Sequence, residues 1–182
     1  MKRFLAWVLA VLLSALFLVP ASPAANAAPY CGITWGSLAK RDSGSATDAA
    51  LTGVRAGRHT CYDRLVLDVR GDVDGWDVRY VPLVHAEGSG KPVPVAGGAD
   101  LQVVVRVPAY NASGRPTYTP ANPSRLVNVS SFSTFEQVAF AGSFEGQTTI
   151  ALGVRARLPF RVFVLDGPGS GSRLVIDVAH RW

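Results

Sequence analysis

The chain has 182 residues, 18 Lys and Arg against 13 Asp and Glu, a formal net charge of +5 and two cysteines. That length is about one domain's worth. Its arginines are scattered along the strand-like segments, with Lys2, Lys40 and Lys91 as the only lysines. The charge therefore excludes a nucleic-acid-binding stripe and leaves a mild attraction to anionic polymers.

Met1-Lys2-Arg3 is a short basic start, Phe4 to Val19 is apolar apart from Ser14, and Pro20 to Ala28 is rich in small residues around Ala25-Asn26-Ala27. This order predicts a secretory signal peptide over residues 1–27. The apolar run is shorter than the ~20 residues of a membrane-spanning helix. An uncleaved N-terminal anchor is the rival reading, and Cys31 lacks the Leu-x-Ala/Gly run of a lipoprotein processing site. Removing 27 residues from 182 leaves 155, enough for a real core, and losing Lys2 and Arg3 lowers the charge from +5 to +3. No later apolar stretch is long enough to span a bilayer, so a secreted protein is expected.

Residues 28–57 read as a loop-rich leader, with Arg41-Asp42-Ser43-Gly44-Ser45 lacking any periodicity. In an oxidising compartment, Cys31 and Cys61 most simply form one disulfide that staples this leader to the first clear strand. The alternative, a cysteine nucleophile with a histidine partner, needs both thiols free.

From residue 58 onward the pattern is strand after strand: Tyr62 to Val69, Trp76 to Val84, Leu101 to Val107, Leu126 to Val129, Gln137 to Phe140, Thr148 to Arg155, Arg161 to Leu165 and Arg173 to Val178. Ser131 to Val138 is the one helix candidate. Two strands repeat each other: Arg64-Leu65-Val66-Leu67-Asp68-Val69 and Arg173-Leu174-Val175-Ile176-Asp177-Val178 agree at five of six positions. Alternation puts Leu65, Leu67 and Val69 on one face and Arg64, Val66, Asp68 and Arg70 on the other. Leu174 and Ile176 are expected to share the core with Leu65 and Leu67. Gly88-Ser89-Gly90-Lys91-Pro92 reads as a hairpin turn, and the proline-rich Ala109 to Ser124 as an irregular surface loop on which Tyr110 and Tyr118 fold back. About eight short strands of this kind indicate an all-β antiparallel β-sandwich or barrel.

Catalytic signatures are missing. There is no Gly-x-Ser-x-Gly elbow, Cys-x-x-Cys, His-Glu-x-x-His or phosphate-cradling glycine loop. His59, His85 and His180 and the glutamates Glu87, Glu136 and Glu145 lie far apart in sequence, so a zinc site requires the fold to gather them. The bland reading makes His59 and His180 solvated strand-end residues. Asp72, Asp74 and Asp77 around Gly75 read as turn formers, since a calcium loop wants a bidentate glutamate.

Tyr62 to Val69, Val78 to Val81, Phe144-Glu145-Gly146-Gln147-Thr148-Thr149, Pro159-Phe160-Arg161-Val162 and Arg173 to His180 together resemble the AMIN-like domain of secreted bacterial proteins. The match covers Arg55 to His180, and the order of the motifs carries it. The resemblance implies a β-sandwich without enzymatic activity over residues 58–182, related to the AMIN domain that targets amidases and secretins to the cell wall. It makes Asp63, Arg64, Arg161, Arg173 and Asp177 recurring strand positions and Gly146 and Pro159 turn positions. An Arg–Asp arrangement among them would hold strands in register. No catalytic domain follows in this chain, so it departs from targeting in cis.

The expectation is thus a secreted, non-enzymatic AMIN-like module associated with peptidoglycan or another cell-envelope polymer. It needs no cofactor and no metal and has no nucleic-acid partner. Exposed arginines such as Arg79 and Arg106 would meet carboxylates or phosphates, while Tyr80 and Tyr118 would either stack on sugars or fill the core. The alternatives are a protein-protein partner such as a protease inhibitor, using the proline-rich loop, and a cell-wall hydrolase whose site the fold conceals.

Overall fold

The computed structural model describes residues 29–44 and 48–182; the expected signal peptide lies outside them. The chain forms two packed antiparallel sheets. The first, of five strands, contains β1 (Lys40–Asp42), β4 (Trp76–Val81), β7 (Ala99–Val105), β8 (Phe135–Phe144) and β9 (Gln147–Val154), in the order β1-β4-β7-β9-β8. The second, of four strands, contains β2 (Ala50–Arg58), β3 (Tyr62–Arg70), β10 (Phe160–Asp166) and β11 (Gly171–Ala179), in the order β10-β11-β3-β2. A two-stranded hairpin, β5 (Val84–His85) and β6 (Pro92–Val93), closes through the glycine turn between them. The sandwich predicted from strand spacing is the architecture found. No helix among the described residues is long and apolar enough to cross a membrane.

Period-two alternation builds the core. Leu65, Leu67 and Val69 from β3 and Leu174, Ile176 and Val178 from β11 are buried, and they meet Val78, Leu101, Val103, Ile150 and Leu152 from the other sheet. Strand β9 is buried along both faces. Its inner residues belong to this core, and its outer Ala151 joins Val84, Ala139 and Ala141 in a second cluster beneath the β5–β6 hairpin. The 94–98 segment crosses the same outer face so closely that a Cβ on Gly153 would lie 2.0 Å from the Ala96 carbonyl oxygen. The chain itself thus covers the β8–β9 part of the outer face, while Asp77, Arg79, Gln102 and Val104 on β4 and β7 stay partly exposed.

Three readings of local sequence need correction. Ser131 to Val138 is not helical: Phe135 begins β8, and its side chain, 1% exposed, is taken into the core. Burial of this aromatic outweighs the weak helix preference of the stretch. Leu126 to Val129 is not a strand, although the Leu126 amide donates to the Val138 carbonyl at 2.8 Å. The leader is not loop throughout, since β1 and all but the last residue of the nine-residue β2 lie within it and β2 is paired along β3.

Cys31 and Cys61 are bonded, with Cα atoms 6.5 Å apart. The bond carries the Tyr30–Gly32 turn to the start of β3, and the following segment bridges the edge strand β10 at Gly36 and Phe160. Between β8 and β9, Glu145 (φ 47°) and Gly146 (φ 82°) form a two-residue turn joining the paired Phe144 and Gln147. Positive φ at both central residues is what a type I′ hairpin demands.

Candidate functional site

The repeated phrase becomes intelligible from the register. Strands β3 and β11 run antiparallel with Val66 opposite Val175, so Arg64 falls opposite Asp177 and Arg173 opposite Asp68. A motif Arg-x-Val-x-Asp paired with its own copy in this way is related to itself by a local two-fold through the valine pair. Each arginine is offered the aspartate of the other strand.

One half of that offer is taken. The Arg64 guanidinium donates to both Asp177 oxygens, Nε at 2.6 Å and Nη2 at 2.9 Å, and Arg161, next in the row on β10, donates to the same carboxylate at 2.7–2.8 Å. Asp177 is fully buried. Hydrogen bonds to Asp177 hold the Arg64 guanidinium above its ordinary pKa range, against the opposing effect of its own burial. The arginines also sit over aromatic rings: Arg161 lies 5.6 Å from the Trp35 ring centre, 5.3 Å from Tyr62 and 5.0 Å from Phe163. Trp35 arrives on the disulfide-stapled leader and forms one rim of the face.

The other half is broken. Asp68 turns to Arg55 of β2, which donates Nε at 2.7 Å and Nη2 at 2.9 Å. Arg173 is left with a hydrogen bond from Nη2 to the Asp166 carbonyl at 2.8 Å, and its buried Nε has no partner. An unpaired buried donor costs about 1–3 kcal/mol, and more when charged. Counting outward-pointing residues by register, five guanidinium groups (Arg55, Arg64, Arg70, Arg161 and Arg173) face two carboxylates (Asp68 and Asp177). The face is open. It holds a cleft of about 240 Å³ between Arg55, His59, Arg64, Leu165 and Arg173, and beside it a shallow trough of about 650 Å³ bounded by the 167–171 turn. Arg55 and Arg173 line both.

The four residues expected to bind ligand are not gathered on one surface. Arg79 projects outward from β4 and donates to Asp77 at 2.6 Å. Arg106 donates to the Ser43 and Gly44 carbonyls at 3.0 and 3.3 Å, pinning the leader. The Tyr80 hydroxyl donates to the Leu158 carbonyl at 2.7 Å and accepts from the Leu158 amide at 3.1 Å, its ring edge-on to Phe160. Burial pushes its pKa up to about 12. Tyr118 packs edge-on against Phe140, with its pKa also raised by burial. Both tyrosines pack against the core rather than offering a platform. The proline-rich loop is likewise tied down, by Thr117 Oγ1 donating to the Leu51 carbonyl at 2.7 Å and by the Asn111 side chain accepting from Ser113 and Arg115. Pro159 is buried, and its carbonyl accepts from the Ala179 amide at 2.9 Å.

His180 is not a solvated end. Its Nε2 lies 3.1 Å from Oδ1 of the fully buried Asp63, whose Oδ2 accepts from the amides of Thr134 and Phe135. The nearby Thr134 hydroxyl faces the Ala179 carbonyl at 3.5 Å rather than the imidazole. This group ties β3 to the start of β8 and to the C-terminal end of β11. His59, by contrast, is exposed and stacks on Tyr62 with ring centres 4.7 Å apart.

Sequence reasoning missed Arg55, Trp35, Tyr62 and Phe163 as members of this face. The signal lay in the repeat: laying the phrase antiparallel on its copy places Arg173 and Asp68 side by side and raises the question of what satisfies them. Compared with known proteins, the chain matches the family model described as the AMIN-like domain over residues 49–180. No curated protein matches it.

Proposed function

The chain belongs to the AMIN-like domain family, and from that premise we propose that it is an exported, non-enzymatic module that binds the cell envelope, with peptidoglycan as its polymer. The observation that carries the reading is the open outer face of the β10-β11-β3-β2 sheet. Guanidinium groups set over Trp35, Tyr62 and Phe163 suit a polymer that alternates sugar faces with carboxylates. The Cys31–Cys61 bond fits an oxidising compartment outside the cytoplasm. Binding without cleavage is the reading that membership of the AMIN-like family supports.

Co-sedimentation of the mature protein with purified sacculi, run beside a muropeptide-release assay, tests both halves. Pelleting that weakens as salt shortens the Debye length to ~8–10 Å and below supports the reading. No pelleting at low salt removes wall binding, and release of soluble muropeptides overturns the non-enzymatic half.

A further inference from the structure

We propose that the open face captures a free carboxylate at the end of a peptide chain and that Arg173 is the residue that grasps it; on the wall-binding reading above, that peptide is a peptidoglycan stem peptide. The register assigns each of the two repeated strands one carboxylate for the other's arginine. Asp177 fulfils its part with two hydrogen bonds to Arg64, whereas Asp68 is held away by two hydrogen bonds to Arg55. Arg173 is thus an arginine in a carboxylate-accepting position whose carboxylate is engaged elsewhere.

The same geometry argues for a carboxylate in particular. Arg64 and Arg55 both use the Nε and Nη2 edge, two parallel donors in one plane matched to two oxygens in one plane. On Arg173 that edge is half engaged, at Nη2, by a main-chain carbonyl in the exposed end of β10, and half empty, at Nε. Nε has no exposed surface, so capture requires the guanidinium to turn outward. It then exchanges one hydrogen bond to a neutral carbonyl for two to an ionised carboxylate and ends the burial of an unpaired donor. The cleft of about 240 Å³ receives the chain end, and the adjoining trough of about 650 Å³, past the 167–171 turn, receives the residues leading to it. Five outward guanidiniums against two carboxylates supply the complementary charge.

Arg55 has a defined part in this arrangement. By occupying Asp68 it keeps Arg173 available, and removing it frees Asp68 to complete the symmetric pair and close the site. Two variants therefore converge on one outcome by different routes: Arg173→Lys keeps the charge but loses the planar fork, and Arg55→Gln keeps Arg173 but gives it an internal partner.

The probe is a synthetic N-acetylated stem tetrapeptide with a free terminal carboxylate and its terminally amidated twin, titrated calorimetrically into the mature protein. The acid is expected to bind at least roughly tenfold more tightly than the amide, the difference of one charge-assisted pair. That preference is expected to vanish in Arg173→Lys and in Arg55→Gln, with the melting temperature of Arg173→Lys unchanged. Equal binding of acid and amide, or an undiminished preference in Arg173→Lys, overturns the assignment, and wild-type protein that still sediments with sacculi then keeps the wall reading. Failure to sediment together with an Arg173-dependent preference for the acid removes the wall reading and upholds the chain-end site.

Discussion

Among the described residues two aspartates each bridge two arginines, and they differ chiefly in burial, so together they measure what burial does to an ion pair. Asp177 is fully buried between Arg64, 22% exposed, and Arg161, 31% exposed, at 2.6 and 2.7 Å. Asp77 is 22% exposed between Arg41, 68% exposed, and Arg79, 42% exposed, at 3.5 and 2.6 Å. Asparagine is nearly isosteric with aspartate, so neither Asp177→Asn nor Asp77→Asn leaves a cavity. What changes is that two guanidiniums lose their counter-charge. Removing one partner of a fully buried pair costs about 3–5 kcal/mol; the residual exposure of Arg64 and Arg161 lets water recover part of that, which places Asp177→Asn near the lower end, about 3 kcal/mol. The exposed bridge is worth at most about 1 kcal/mol. With a urea slope of about 2 kcal/mol/M, the unfolding midpoint should fall by about 1.5 M for Asp177→Asn and by no more than about 0.5 M for Asp77→Asn. Equal shifts in the two variants would refute the argument that the Arg161-Asp177-Arg64 row holds three strands of the sheet together.

Leu67→Ala and Ile176→Ala, both at fully buried positions, should each lose roughly 2–5 kcal/mol in denaturant melts, whereas Arg70→Ala on the solvent side should lose less than about 0.5 kcal/mol. A thiol titration of native, non-reduced protein should find no reactive cysteine, and replacing both Cys31 and Cys61 by serine should cost on the order of 3 kcal/mol for a loop of this length. The phenolic proton of Tyr80 is held more tightly in the folded protein, where the pKa is about 12, than at the ordinary 10.0. The associated stability is complete below the ordinary value and is lost as pH rises through about 12. Unfolding free energies measured between those limits should fall with pH in the wild type and show a shallower slope in Tyr80→Phe.

What could be read from sequence follows from what each element owes to its own residues. Strands β3 and β11 announce themselves because aliphatic residues recur at every second position, with charged residues between them everywhere but at the central Val66 and Val175. Strand β2 does not, since Ala50-Leu51-Thr52-Gly53-Val54-Arg55-Ala56-Gly57-Arg58 carries small residues where alternation would be seen. The reason is tertiary: Gly53 lies opposite Asp68, and a Cβ there would come within 3.3 Å of the Asp68 carboxylate that Arg55 engages. Phe135 is hidden from a local reading for a related reason, because its place in the core is decided by Phe132, Asp63 and β9 rather than by its neighbours in sequence. The arginine positions of the candidate face were visible, but their division into satisfied and unsatisfied members depends on which carboxylate β2 reaches, and no local pattern encodes that.

The hairpin and the 94–98 segment that lie across the five-stranded sheet make its two halves unlike. Val84, Val93, Val95 and the main chain at Ala96 pack against Ala139, Ala141 and Ala151 over β8 and β9, whereas Asp77, Arg79, Gln102 and Val104 on β4 and β7 stay partly exposed. Any flat partner laid across this sheet therefore meets a ridge on one half and a polar surface on the other.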